Sequence, residues 1–191
     1  YVEVLNLQDC DQISRLARLF EGAVVFHLAA RVTNIQENRY DHLGMLQDNL
    51  RINTNVVEAA IQGRPRLFEA TSTVCVYPHD APVPTAEAAG FPFQPEDTNE
   101  GYGLAKAILE KQAEYLHREH NIPVVVPRFA NAFGPRDYYD ASSHVVPALI
   151  RKAHEDDEIV VWGSGQQSRT LMDARDLAEA VVRLAEQPAA H

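Results

Sequence analysis

Apolar positions along the chain switch between two periods. Ile13, Leu16, Ala17, Leu19 and Phe20 recur at helical spacing between Asp9 and Gly22, and residues 42–62 carry the same period into a long helix closed by Gly63 and Pro65. A third helix is predicted from about Tyr102 to His120. Between the helices lie unbroken apolar runs, Ala23–Ala30, Leu67–Tyr77 and Ile122–Phe129, the pattern of strands buried on both faces of a parallel sheet. Tyr1–Leu5 reads as a further short strand, and the proline-rich stretch 79–99 as a loop. Strands alternating with long helices need right-handed crossovers, so the predicted fold class is α/β, a doubly wound parallel sheet of Rossmann-like type. Beyond Gly134 and Pro135 the texture changes to a loop, a helix near 145–154, an acidic turn, a strand Ile159–Trp162, a glycine turn and a helix near 173–186. Two domains are expected, 1–133 and the start of a smaller one at 134–191.

Charge and cysteine content narrow the function. A net charge of −10 argues against nucleic acid and anionic membrane surfaces as partners, since both attract positive patches. No apolar run approaches the ~20 residues a membrane span needs, which predicts a soluble, cytoplasmic protein. Cys10 and Cys75 are too few for a disulfide framework or a zinc site. His117 and His120 sit three apart on a helix with no third ligand near them, so no metal is expected. Neither a Walker loop nor a G-x-S-x-G turn occurs.

The strongest chemical signal is Tyr102-Gly103-Leu104-Ala105-Lys106. Residues four apart on a helix share a face, and an ammonium beside a phenol favours the phenolate, which suits proton exchange with a hydroxyl. The same spacing also occurs on many ordinary amphipathic helices. Thr71-Ser72-Thr73 closes an apolar run at what would be the carboxyl end of a strand, where doubly wound sheets bind ligands; such hydroxyls equally serve local turns. Ala29 and Ala30, after His27, would let a dinucleotide approach the backbone. Taken singly, Cys75 fits a small buried hydrophobe and His144 a helix-terminal histidine.

VVFHLAAR (24–31), TSTVCVYP (71–78), YGLAK (102–106), RFANAFGP (128–135) and VVWGSGQQSRT (160–170) follow one another in order. Together they resemble the extended short-chain dehydrogenase/reductase family, the NAD(P)-dependent nucleotide-sugar epimerases and dehydratases. The resemblance implies an enzyme with Thr73, Tyr102 and Lys106 as its catalytic set. It implies cofactor contacts, to NADP or NAD, from Ala29, Ala30, Thr71, Ser72, Thr73, Val74, Tyr102, Lys106, Phe129, Ala130, Asn131 and Ala132. Residues 1–133 then become a partial NAD(P)-binding domain, whose glycine-rich turn and first strands are expected ahead of Tyr1. Residues 134–191 become part of a nucleotide-sugar-binding domain, with His144, Lys152, Trp162 and Arg169 meeting the substrate. Asn6 stands where the family usually has an aspartate facing adenine.

Within the family, Cys75 and His144 match the acid–base pair of members that epimerise C3 and C5 of a GDP-4-keto-6-deoxyhexose and then reduce C4. Epimerisation beside a ketone needs one group to remove the acidified proton and another to return one on the opposite face. The expected substrate is thus a nucleotide-diphosphate sugar, favouring GDP, and the expected assembly a homodimer through helices 42–62 and 102–120, on the strength of Leu46, Leu50, Val57, Ala60, Leu109, Ala113 and Leu116. A 4-epimerase or 4,6-dehydratase would use Tyr102, Lys106 and Thr73 and leave Cys75 and His144 idle. A degenerate, non-catalytic module is the alternative from a different class.

Overall fold

The computed structural model describes residues 3–90, 96–140, 143–161, 164–166 and 168–187. Among them the elements run α1 (Ile13–Phe20), β1 (Val24–His27), α2 (Ile35–Tyr40), α3 (His42–Gly63), β2 (Leu67–Ala70), β3 (Ser72–Thr73), α4 (Glu100–His120), β4 (Val124–Val125), β5 (Arg128–Phe129), β6 (Asn131–Phe133), α5 (Val145–Glu155), β7 (Leu171–Asp173) and α6 (Ala174–Ala185). Strands β1, β2 and β4 form one sheet, with Val24 opposite Leu67 and Phe68 opposite Val124; β3 pairs with β5, and β6 with β7. Every pairing is parallel, as the alternation of strand and helix periods predicts. The chain divides into two compact units, Tyr1–Phe129 with Arg183–His191, and Ala130–Val182.

The first unit holds the core. Phe20 of α1, Val56 and Ala60 of α3, Phe68 of β2, Leu109, Ala113 and Leu116 of α4, and Ile122 pack together. Ala59, Ala60 and Ala113 are fully buried, so α3 and α4 approach closely along small side chains. Both helices end on left-handed residues, Arg64 at φ 50° and Asn121 at φ 55°, whose N–H groups bond back to the Ala60 and His117 carbonyls. At the other end of α3 the Asp41 side chain accepts from the Gly44 N–H at 3.0 Å and from Arg31 at 2.8 Å. No helix among the described residues is long and apolar enough to cross a membrane.

Several expectations are corrected. The single strand over Leu67–Tyr77 breaks into β2, β3 and a 3₁₀ turn at Val74–Val76, because the Thr73 hydroxyl oxygen accepts from the Cys75 N–H at 3.2 Å and offers the backbone a local alternative to the sheet. Cys75 therefore stands on a turn, not two residues along a strand from Thr73. The run Ile122–Phe129 divides into β4 and β5 at Pro127, which has no N–H for a ladder; its carbonyl accepts from the Ser72 N–H at 2.9 Å. Glu3–Leu5 is irregular, with Val4 exposed. Ile159–Val161 is also irregular and exposed, and the strand of that region is β7, too short to show a period. The loop 79–99 carries short 3₁₀ turns at Glu87–Gly90 and Asp97–Asn99. Helix α2 had no periodic signature. Of the apolar residues expected to face a second subunit, Val57, Ala60, Leu109, Ala113 and Leu116 are buried within this chain's own core.

Candidate active site

The site is built on the first turns of α4. Gly101 is required there, since a Cβ on it would lie 2.2 Å from the His42 carbonyl oxygen, and this contact sets how α4 meets the start of α3. Tyr102 and Lys106 follow one turn apart. Helix α4 packs on β3 and on the 74–76 turn, which brings Ser72, Thr73 and Cys75 to the same end of the sheet as Tyr102. Lys106 is 1% exposed; its Nζ donates to the Thr71 carbonyl at 2.8 Å and lies 5.9 Å from the centroid of the Tyr102 ring.

Burial dominates the electrostatics. It pushes the Tyr102 phenol well above its ordinary value, and the neighbouring Cys75 pushes in the same direction. The expectation that Lys106 would favour a phenolate is therefore not met in this state, because the ammonium is engaged with the Thr71 carbonyl and burial outweighs it. Tyr102 is a protonated acid here. Burial lowers Lys106 itself to about 8, while the Glu69 carboxylate pulls it back up.

Behind these groups lies a polar layer that the sequence pattern did not single out. Glu69 is fully buried in the middle of β2; its Oε1 accepts from the Thr71 hydroxyl at 2.7 Å. Burial raises it to about 7, against the Thr71 hydrogen bond and the Lys106 charge. His27, also buried, shares a 3.0 Å hydrogen bond with Asn53 Oδ1, and desolvation lowers it to about 4, so it is neutral and donates from Nε2. Asn53 Nδ2 in turn donates to the Ala105 carbonyl at 3.3 Å, one residue before Lys106.

One helical turn beyond Lys106, Glu110 receives a two-pronged ion pair from Arg128, with Nε at 2.8 Å and Nη2 at 2.7 Å, and also accepts from the Ser72 hydroxyl. Arg128 continues to the Tyr77 hydroxyl at 3.1 Å and the Glu87 carbonyl, and its guanidinium stacks 4.9 Å over the Tyr77 ring. This single side chain ties the end of the sheet, the helix and the 77–90 loop together. The signals for the missed residues were a lone carboxylate in an apolar strand (Glu69) and a second acid at helical spacing after Tyr102 and Lys106 (Glu110).

The other expected site residues are placed as follows. Ala29 and Ala30 are half-buried just after β1, Val74 is exposed on the 3₁₀ turn, and Phe129–Ala132 runs through β5 and β6. In the second unit, His144 is the exposed N-cap residue of α5, and its side chain makes no capping bond. Lys152 Nζ donates to the Val160 carbonyl at 3.1 Å, and Arg169 is exposed, donating to the Ser168 carbonyl at 2.8 Å. Trp162 lies outside the described residues.

Parallel strands with crossover helices, and a Tyr–Lys helix against hydroxyl-bearing strand ends, define a Rossmann-like protein of the short-chain dehydrogenase type. The chain belongs to the NAD dependent epimerase/dehydratase family, which it matches over residues 2–191. It is 36% identical over 163 residues to a probable GDP-L-fucose synthase 1 of Oryza sativa subsp. japonica, covering 82% of this chain and 50% of the relative. Among solved structures it is similar to a UDP-glucose 4-epimerase from Thermotoga maritima solved with UDP-glucose, at TM-score 0.84 and 25% identity over 96% of this chain and 58% of that one. It also shares the fold of a GDP-L-fucose synthetase from Naegleria fowleri bound to NADP, at TM-score 0.79 and 23% identity over 92% of this chain and 59% of that one. The chain thus spans about half the length of the curated relative.

Proposed function

We propose that this chain is part of an NADP- or NAD-dependent enzyme that epimerises C3 and C5 of a GDP-4-keto-6-deoxyhexose and reduces C4. The observation that carries the reading is the packing of α4 on the 74–76 turn, which sets the Cys75 thiol at the same end of the sheet as Tyr102 and the Lys106 held by the Thr71 carbonyl. A 4-epimerase has no use for a thiol at that place. The likeness to proteins named GDP-L-fucose synthase supports the GDP-sugar class.

The donor set fits a nicotinamide dinucleotide. Lys106 spends one of its three donors on Thr71, and its remaining N–H groups suit ribose hydroxyls; small residues Ala29 and Ala30 leave the backbone after β1 approachable, and the strand ends at Thr71–Val74 and Phe129–Ala132 complete the set. When bound, the dinucleotide supplies hydride. Tyr102, held protonated by burial, delivers the proton that the C4 oxygen takes on reduction, and Lys106 stabilises the phenolate left behind. The Thr73 hydroxyl hydrogen-bonds the same sugar oxygen. Cys75 removes the proton alpha to the ketone and His144 returns one from the other face. Lys152, Trp162 and Arg169 hold the nucleotide sugar, cations meeting its diphosphate.

The reading includes a homodimer through α3 and α4. Leu46 and Leu50 are half-buried, Ile108 and Tyr115 are exposed on these helices, and a shallow cavity of about 150 Å³ opens between Ile61, Gln112 and Tyr115. It also includes a cytoplasmic setting, which suits a thiol that must stay reduced to act.

In the full-length protein, Tyr102→Phe is expected to cut hydride transfer by roughly 10²–10⁴-fold while sparing solvent deuterium uptake at C3 and C5. Cys75→Ser and His144→Asn are expected to do the reverse. Deuterium exchange followed by NMR, alongside cofactor absorbance, separates the two. Unchanged exchange in both the Cys75 and the His144 variant would remove the 3,5-epimerase reading and leave a 4-epimerase.

A further inference from the structure

Glu69 lies in the hydrophobic middle of β2, fully buried, with Phe68 and Ala70 on either side equally buried. A carboxylate in such a place is costly unless it is paired. Its Oε1 is met by the Thr71 hydroxyl, and its Oε2 has no hydrogen-bond partner among the described residues. Thr71 faces both ways, since its hydroxyl donates to Glu69 while its carbonyl accepts from Lys106 Nζ at 2.8 Å. A buried carboxyl and a buried ammonium therefore meet across one residue, at the same strand end as Tyr102.

We propose that Glu69 is the positioning residue for Lys106, fixing the ammonium against the Thr71 carbonyl and keeping it charged beside Tyr102. This role rests on the proposed reaction, in which Lys106 must carry a positive charge to stabilise the Tyr102 phenolate. Without a counter-charge, a lysine buried to this degree reverts to the neutral amine. The groups around it leave Glu69 as that counter-charge. His27 on β1 is neutral and offers no counter-charge, Tyr102 on α4 is protonated, Cys75 on the 74–76 turn interacts with Tyr102, and Glu110 on α4 is committed to Arg128 and Ser72. Glu69 is raised to about 7 and Lys106 lowered to about 8, so the doubly ionised pair is most populated between these values.

The test is a pH titration of the full-length protein labelled with ¹³C at lysine Cε, with Lys106→Met identifying the resonance. The wild-type midpoint is expected near 8, and Glu69→Gln, which keeps an acceptor for the Thr71 hydroxyl, is expected to lower it by about one unit or more. The alkaline limb of kcat should move down by the same amount. Reciprocally, Lys106→Met should raise the Glu69 carboxyl midpoint, read from ¹³Cδ-labelled glutamate, so the coupling is measurable even where Glu69→Gln folds poorly. An unmoved Lys106 midpoint in folded Glu69→Gln, or an unmoved Glu69 midpoint in Lys106→Met, overturns the proposal. The titrations need no turnover. A protein inactive on 4-keto sugars whose Lys106 midpoint still moves would refute the proposed reaction and keep the Glu69–Lys106 coupling; an active protein whose midpoint stays put would do the opposite.

Discussion

The two units of this chain treat their polar side chains in opposite ways. In the first, Lys106, Ser72 and Glu110 are buried and their hydrogen bonds join α4 to the strand end at Thr71 and to β3 and β5, so each position is fixed by more than one element. In the second, only Pro147 and Val181 are buried among the described residues, and Asp173 pairs with Arg175 two positions away. Tyr138 and Val160 are 77% and 64% exposed there. A segment of roughly 50 residues buries too little surface to fix much by itself. Charges embedded in a core are strongly coupled and expensive to disturb, whereas exposed pairs are screened by water.

Substitutions can break this contrast. The largest stability effect is expected from Arg128→Ala, which strands Glu110 beside Ser72 and frees the 77–90 loop; breaking one side of a buried pair costs about 3–5 kcal/mol, measurable as a drop in the denaturant midpoint. A loss below about 1 kcal/mol would mean that water reaches Glu110 and that the first unit is less closed than described.

Next comes the pH response of Glu69→Gln. Folding raises the Glu69 pKa from 4.5 to about 7, so the stability linked to its protonation is complete below about pH 4.5 and lost as pH rises through 7. His27 works the other way, lowered from 6.5 to about 4, with its contribution complete above 6.5 and lost as pH falls through 4. Comparing Glu69→Gln with wild type cancels the histidine. The variant should gain relative stability between about pH 4.5 and 7. Parallel melting curves across that range would show that the carboxylate is not desolvated as its burial implies.

The smallest effect belongs to the second unit. Arg175 holds Asp173 down to about 2 through hydrogen bonds on a solvent-facing turn. Arg175→Ala should raise the Asp173 midpoint in a carboxyl NMR titration and leave the melting temperature unchanged. A clear fall in melting temperature would show that this pair is sheltered in the full-length protein.

Much of the first unit was legible because its signals are periodic. The runs at 23–30 and 67–77 and the helices at 42–62 and 102–120 mark a parallel sheet with crossovers; the observed β1 and β2 fall inside the runs, and α3 and α4 match the helices to within two residues at either end. Tyr102 and Lys106 were singled out by residue type and spacing, Thr71–Thr73 by its place at the end of an apolar run, and Cys75 by the family resemblance alone. The misses share a cause. Strands of two or three residues, such as β3 and β7, exist only through pairing with a distant partner, so no local pattern announces them. The Thr73 hydroxyl decided that Cys75 leaves the strand, a choice between two hydrogen bonds that apolar periodicity does not register.

The sequence by itself determined the α/β class, the placing of Tyr102 and Lys106 on one helical face, and the family, because backbone periodicity and residue chemistry are local properties. Ionisation was decided by the tertiary structure alone. A tyrosine and a lysine four apart suggest a phenolate; burial at the end of the sheet instead keeps Tyr102 protonated, and Glu69, thirty-seven positions before Lys106, supplies the charge that keeps the ammonium. Desolvation and Coulomb interactions depend on distance in space, which the order of residues along a chain does not contain.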